Sequence, residues 1–216
     1  MSPSLEHFLS RAEHLINLIE RVLPQALQAP DWGLSSAYRY RKLGRHAARL
    51  EPVTHLAAIR LTDLKEIDQQ KEKVTRNTLQ FVRGLPANNM LLTGARGTGK
   101  SSLIKSCLNE YADQGLRLIE VDKADLIDLP DIIELVAKRP EKYIIFCDDL
   151  SFEDGEPGYK SLKSILDGSV SAATANVLIY ATSNRRHLLP EYMKENLRSE
   201  EHTSELQSQF RISYAV

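Results

Sequence analysis

The sequence predicts a three-layer α/β protein built around a parallel β-sheet. Two observations carry that expectation. Short apolar runs at residues 90–93, 116–121, 143–147 and 176–182 alternate with segments of helical periodicity. Strands that alternate with helices need crossover connections, and crossovers give parallel pairing with helices on both faces. The runs are also continuous rather than alternating, as in Tyr143-Ile144-Ile145-Phe146-Cys147 and Val177-Leu178-Ile179-Tyr180. A strand buried on both faces requires that pattern.

The elements follow in order. Leu5, Phe8, Leu9, Ala12, Leu15, Ile16, Ile19 and Leu23 recur at helical spacing, so residues 4–23 read as one amphipathic helix ended by Pro24. Pro24, Pro30 and Gly33 mark the loop at 24–34. Ala37-Tyr38-Arg39-Tyr40-Arg41 is a basic aromatic patch, read as part of a short helical stretch to about Leu50. Interleaved Tyr and Arg can stack on bases, but a packing or partner face is the preferred reading. Residues 1–60 are thus expected to be a helical region and the candidate partner-recognition piece. A further helix is expected from Leu61 through Leu64, Ile67, Val74, Leu79 and Phe81 to Gly84, then a turn at Pro86-Ala87-Asn88-Asn89 and the first core strand. Helices at 101–114, 131–138 and 158–167 separate the later strands, with Pro130 suited to the first turn of the second.

The chemistry is concentrated directly after the first core strand. Gly94-Ala95-Arg96-Gly97-Thr98-Gly99-Lys100-Ser101, followed by Ser102, fits G-x-x-x-x-G-K-[ST], a phosphate-binding loop. Its glycines allow positive φ, so successive backbone N–H groups can face phosphate oxygens. Lys100 supplies a cation for the β- and γ-phosphates, and the Ser101 hydroxyl a ligand for Mg²⁺. The helix beginning at Ser101 directs its positive end at the same anion. The cofactors expected are ATP and Mg²⁺. The strand at 143–147 ends in Asp148-Asp149. Parallel strands deliver their C-terminal residues to one edge of the sheet, which suits Asp148 to hold the metal beside Ser101 and Asp149 to polarise an attacking water. Ala181-Thr182-Ser183-Asn184 ends the next strand at the same edge. The amide of Asn184 can hydrogen-bond the γ-phosphate or the water.

Composition narrows the class. The chain of 216 residues carries 28 basic and 29 acidic side chains, so no strong field favours nucleic acid or a membrane surface. Cys107 and Cys147 lie forty residues apart and form neither a metal-ligand spacing nor a redox pair. Glu6, His7 and Arg11 interrupt any signal peptide, and no run approaches the ~18 apolar residues of a membrane span. A cytoplasmic protein is the expectation.

A phosphate loop, a strand ending Asp148-Asp149 and a strand ending Asn184 together resemble the AAA+ ATPases, with Asn184 at the sensor-1 position. Finer stretches resemble the bacterial DUF815 type: Ile67-Asp68-Gln69-Gln70-Lys71, Pro86-Ala87-Asn88-Asn89, Gly97-Thr98-Gly99-Lys100-Ser101-Ser102, Asp148-Asp149-Leu150-Ser151-Phe152 and Ala181-Thr182-Ser183-Asn184-Arg185-Arg186-His187-Leu188. The resemblance covers about residues 34–197. It implies a core at 61–197 with strand order 5-1-4-3-2, a homo-oligomer acting on an unidentified protein partner, and adenine near residues 61–69. It also implies an arginine finger, a fifth strand and a helical lid, none of which the sequence supplies; Arg185 and Arg186 follow Asn184 too closely to be assumed a finger, and without one this chain is expected to hydrolyse ATP poorly. The resemblance favours ATP hydrolysis coupled to remodelling or loading a partner. A non-hydrolysing ATP-binding switch and a small-molecule kinase are the alternatives.

The reason for the missing parts lies in residues 198–216, which resemble translated sequencing-adapter DNA. Arg198 through Ser208 match an adapter codon by codon, and after three barcode-like codons Ile212 through Val216 match its continuation. The segment is therefore set aside from fold reasoning. The core is expected to stop before its fifth strand, leaving the strand at 90–93 as an open, aggregation-prone edge.

Overall fold

In chain order the elements are α1 (Pro3–Val22), β1 (Ala37–Lys42), β2 (Ala48–Pro52), α2 (Asp68–Val82), β3 (Asn89–Thr93), α3 (Lys100–Tyr111), β4 (Leu116–Glu120), α4 (Leu129–Val136), β5 (Lys142–Cys147), α5 (Pro157–Leu166), β6 (Val177–Ser183) and β7 (Arg211–Ala215). Short 3₁₀ turns lie at Leu61–Asp63, Ala112–Gln114 and Lys123–Asp128. The structure is a computed structural model and describes residues 3–22, 27–44, 47–153, 156–166, 175–184 and 211–215. Arg185, Arg186 and most of the adapter-like tail lie outside them.

The sheet runs β2-β1-β4-β5-β6-β3-β7. Its five central strands, β1, β4, β5, β6 and β3, pair in parallel. The order β4-β5-β6-β3 is the one the resemblance implies for the four core strands. Strand alternation divides the apolar side chains between two layers. Ile144, Phe146, Leu178, Tyr180, Met90 and Leu92 pack with Val74 and Phe81 of α2 and with Leu103, Ile104 and Cys107 of α3. Tyr143, Ile145, Cys147, Ile179 and Ala181 face the other way, onto Leu129, Ile132 and Val136 of α4 and Leu162 of α5. Continuous apolar runs are what a strand needs when both faces are covered. Both cysteines are free and buried, and burial pushes each thiol up to about 12. Among the described residues no helix is long and apolar enough to cross a membrane.

A buried polar knot holds α2 to the strands that carry the site. Asn77 Nδ2 donates to Asn88 O at 2.8 Å and to Tyr180 Oη at 2.9 Å, while Asn88 N donates to Asn77 Oδ1 at 3.0 Å. Thr78 Oγ1 lies 3.0 Å from the same tyrosine oxygen. Asn89 Oδ1 accepts the Ile179 N–H at 2.8 Å. The Pro86-Ala87-Asn88-Asn89 turn is thus clamped on two sides, which sets where β3 begins relative to β6.

Three expectations are corrected. Residues 37–42 form a strand rather than a helix, and with β2 they make a hairpin on the sheet edge. The physical reason is an alternation of period two. Tyr38 and Tyr40 are buried, while Arg39, Arg41 and Lys42 reach Glu120, Asp122 and Asp128 at 2.7, 3.5 and 2.7 Å. The patch is a packing face, as expected, but built as a strand. The helix expected across 61–84 is also interrupted. A 3₁₀ turn precedes α2, and Glu66 between them holds φ at 62°, outside the helical region. Finally, β3 is not an open edge, because β7 pairs with it antiparallel from Asn89↔Ala215 to Thr93↔Arg211. A row of unpaired N–H and C=O groups accepts any compatible extended segment, and Ile212 adds partial burial against the α2/α3 layer.

In α1, Phe8, Leu9, Leu15, Ile16 and Ile19 are exposed. These five side chains therefore lie outside both core layers.

A chain ending at residue 197 tests the contribution of β7. It is expected to melt lower than the 216-residue chain, by roughly 2–4 °C for each kcal/mol lost in a protein of this size, and to scatter more light as the β3 edge self-associates. Identical melting and a monodisperse shortened chain would show that β7 adds nothing.

Candidate functional site

The site forms where β3, β5 and β6 end. Their parallel registers, Thr93↔Ser183 and Cys147↔Ala181, bring the next residues of each strand to one rim. Gly94 N donates to Ser183 O at 3.2 Å, which carries the pairing one step beyond β3. The loop then turns through Gly97 and Gly99, at φ 83° and 87°, a region that residues with a Cβ enter at a cost. Gly99 caps α3 and Lys100 begins it. The first N–H groups of α3 have no acceptor within the helix and carry its positive dipole end.

Lys100 lies against the rim with only 6% of its surface exposed. Its Nζ donates to Gly94 O and Ala95 O, each at 2.7 Å, and to Asn184 Oδ1 at 3.1 Å. Three N–H donors meet three neutral oxygens. Burial lowers the Lys100 pKa, and the charges of Asp148 and Asp149 oppose that shift. Ser101 Oγ donates to Asp148 Oδ1 at 2.6 Å. Asn184 spans the remaining gap: its Nδ2 donates to Asp149 Oδ1 while its Oδ1 accepts from Lys100. Asn184 thus joins the cation to one of the carboxylates.

Lys100, Ser101, Asp148, Asp149 and Asn184 therefore stand together, as the sequence predicts. With Arg96, Gly97, Gly99, Ser102 and Thr182 they line a cleft of about 280 Å³. Gly94 and Ala95 face Lys100 through their carbonyls, and the Thr98 hydroxyl closes the loop by donating to Ala95 O at 2.8 Å. A second cleft, of about 750 Å³, adjoins the first across Gly97 and Gly99 and is bordered by Asp63 to Gln69. Ile67 stands at its edge, where a Cβ on Gly99 would lie 3.7 Å from Ile67 Cδ1.

Sequence reasoning missed Thr182. Its Oγ1 donates to Asp148 Oδ1 and accepts the Asp149 N–H at 2.9 Å, and its carbonyl accepts Leu150 N at 2.7 Å. No sequence signal marks it: only once β5 and β6 are neighbours with Cys147 opposite Ala181 does Thr182 fall opposite Asp148. Also unforeseen is the backbone of Asp149, at φ 52°.

The arrangement gathers Lys100 and Arg96, the carboxylates of Asp148 and Asp149, the hydroxyls of Ser101, Ser102 and Thr182 and a helix N-terminus around one cleft, a set suited to a polyphosphate and a hard divalent cation.

None of the curated proteins matches the sequence. Several solved structures are similar over part of their length. AMPPCP-bound DnaA from Aquifex aeolicus is 19% identical, with a TM-score of 0.44 over 60% of this chain and 43% of its own. A mutant RuvB from Thermotoga maritima is 16% identical, with a TM-score of 0.46 over 63% of this chain and 45% of its own. DnaI is 19% identical, with a TM-score of 0.43 over 59% of this chain and 73% of its own. The chain thus spans less than half of the DnaA and RuvB chains. Assignment rests instead on a family model described as a protein of unknown function, DUF815, which matches residues 34–215. The chain belongs to the DUF815 family.

Proposed function

We propose that this chain binds ATP with Mg²⁺ at the β3–α3 loop and hydrolyses it as an AAA+ type ATPase. One observation carries the reading: Lys100, the Ser101–Asp148 pair and the Asn184–Asp149 pair converge on a single rim at the N-terminus of α3.

The residues present fit both groups. Ammonium donors now resting on backbone carbonyls can turn to phosphate oxygens, which are stronger acceptors because they are charged. Ser101 Oγ and Asp148 supply adjacent oxygen ligands of the kind Mg²⁺ prefers, and Mg²⁺ usually takes its other ligands from phosphates and water. Bound Mg²⁺ would offset negative charge on the phosphoryl oxygens. Lys100 adds a cation in a buried setting, where a charge acts more strongly than in water. Asp149 orients water and draws on its proton, and the Asn184 amide holds the Asp149 carboxylate in place. The cleft beside Ile67 suits the adenine.

Action on an unidentified protein partner, as a homo-oligomer, completes the proposal and rests on the family resemblance. A second reading is a switch that binds ATP without turning it over. It draws support from Asp149, whose short carboxylate is already engaged by Asn184.

Two variants test these readings. Lys100→Ala is expected to weaken Mg·ATP binding about 10–100-fold, the equivalent of losing a charge-assisted hydrogen bond of ~1.5–3 kcal/mol; titration with a fluorescent ATP analogue reads this directly. An unchanged affinity would remove the phosphate loop from the account. Asp149→Asn is expected to bind ATP as the unaltered chain does and to release phosphate ~10²–10⁴-fold more slowly, the range for losing a positioned base. Equal rates would dismiss Asp149 from catalysis. Absence of phosphate release from the unaltered chain in every oligomeric state would select the switch.

A further inference from the structure

Thr182 meets three consecutive residues of the segment after β5. Its hydroxyl hydrogen goes to Asp148 Oδ1, its hydroxyl oxygen takes the Asp149 N–H, and its carbonyl takes the Leu150 N–H. The side chain is almost completely buried, at 1% exposure. A buried hydroxyl has one hydrogen to donate, and here it is directed at the same carboxylate oxygen that Ser101 addresses from α3. Asp148 Oδ1 therefore receives one hydroxyl from the phosphate loop and one from β6.

We propose that Thr182 is the positioning residue of the divalent-cation site, a role that rests on the Mg·ATP reading above. It acts through Asp148 and Asp149 rather than on substrate. The donation to Oδ1 fixes the rotation of the Asp148 carboxylate. The bond from Asp149 N helps to hold that residue at φ 52°, a conformation costly for a residue with a Cβ. One hydroxyl thus sets the direction of a metal ligand and of the neighbouring carboxylate. Oriented outer partners of this kind typically change metal affinity or activity 10–100-fold when removed.

A purely structural threonine predicts something different. Its loss would lower stability and leave the response to the cation unchanged. The test is the 216-residue chain titrated with a fluorescent ATP analogue, with Mg²⁺ varied from chelated to millimolar. Thr182→Val keeps the shape and removes the hydroxyl. It is expected to bind the analogue normally in chelator and to need about 10–100-fold more Mg²⁺ for the same enhancement. Thr182→Ser restores the hydroxyl and should restore the Mg²⁺ response. If Thr182→Val fails to fold, Thr182→Ala takes its place in the comparison. An unaltered Mg²⁺ response in a folded hydroxyl-free variant would overturn the proposal, as would a serine variant that behaves like valine. If the unaltered chain binds no nucleotide, the ATP reading itself fails and this role with it; if it binds and the variants match it, only the role of Thr182 fails.

Discussion

One carboxylate oxygen ties the site together. Asp148 Oδ1 accepts from Ser101 on α3 and from Thr182 on β6, while Asp148 itself extends β5. Three elements far apart in the chain are joined within one hydrogen-bond shell. Hydrogen bonds to a charged acceptor are worth more than neutral ones, about 1.5–3 kcal/mol each, and leaving a buried partner unpaired costs at least as much as the bond contributes. The rim is therefore held from both sides: if the loop before α3 drifted from β6, the half-buried Asp148 would lose its bond to Ser101.

The same logic extends outward. Lys100 is buried beside two carboxylates, and its ammonium is compensated by two loop carbonyls and the Asn184 amide. Burial alone would disfavour the charged form. The carbonyls of Gly94 and Ala95 are available only because the loop curls back on itself through left-handed glycines. Behind the rim, the Asn77–Asn88–Tyr180 knot fixes the start of β3, so that the strand's far end arrives at the right level.

Much of this is legible in the sequence, for identifiable reasons. Motif spacing locates Lys100 and Ser101, and apolar runs ending in polar residues locate Asp148, Asp149 and Asn184. Since parallel strands share one C-terminal edge, strand ends alone are enough to bring these residues together. Contacts that depend on lateral register cannot be read. Thr182 meets Asp148 because Cys147 sits opposite Ala181, and no linear pattern encodes that pairing. The β1 strand is misread as a helix although Tyr38-Arg39-Tyr40-Arg41 alternate with period two; four residues are a short run, and what settles the strand lies elsewhere in the chain. Its acidic partners, Glu120, Asp122 and Asp128, lie some eighty residues on. The pairing of Arg211–Ala215 with β3 escapes the sequence reading because that segment is set aside on its resemblance to adapter sequence rather than on its capacity to extend.

Asp149 brings the two levels together. An aspartate reaches one methylene less far than a glutamate, which from sequence alone counts against a role in turning water. The backbone changes that comparison. At φ 52° the chain leaves the strand direction just where β5 ends, and the Asp149 carboxylate reaches the Asn184 amide, which in turn contacts Lys100. A residue in that conformation persists only when its surroundings hold it there, and here the Thr182 hydroxyl on its N–H and Asn184 on its carboxylate are among them. Reach lost in the side chain can be supplied by the main chain. The length of the acid is therefore weak evidence against catalysis, and the geometry of its backbone is the feature to weigh.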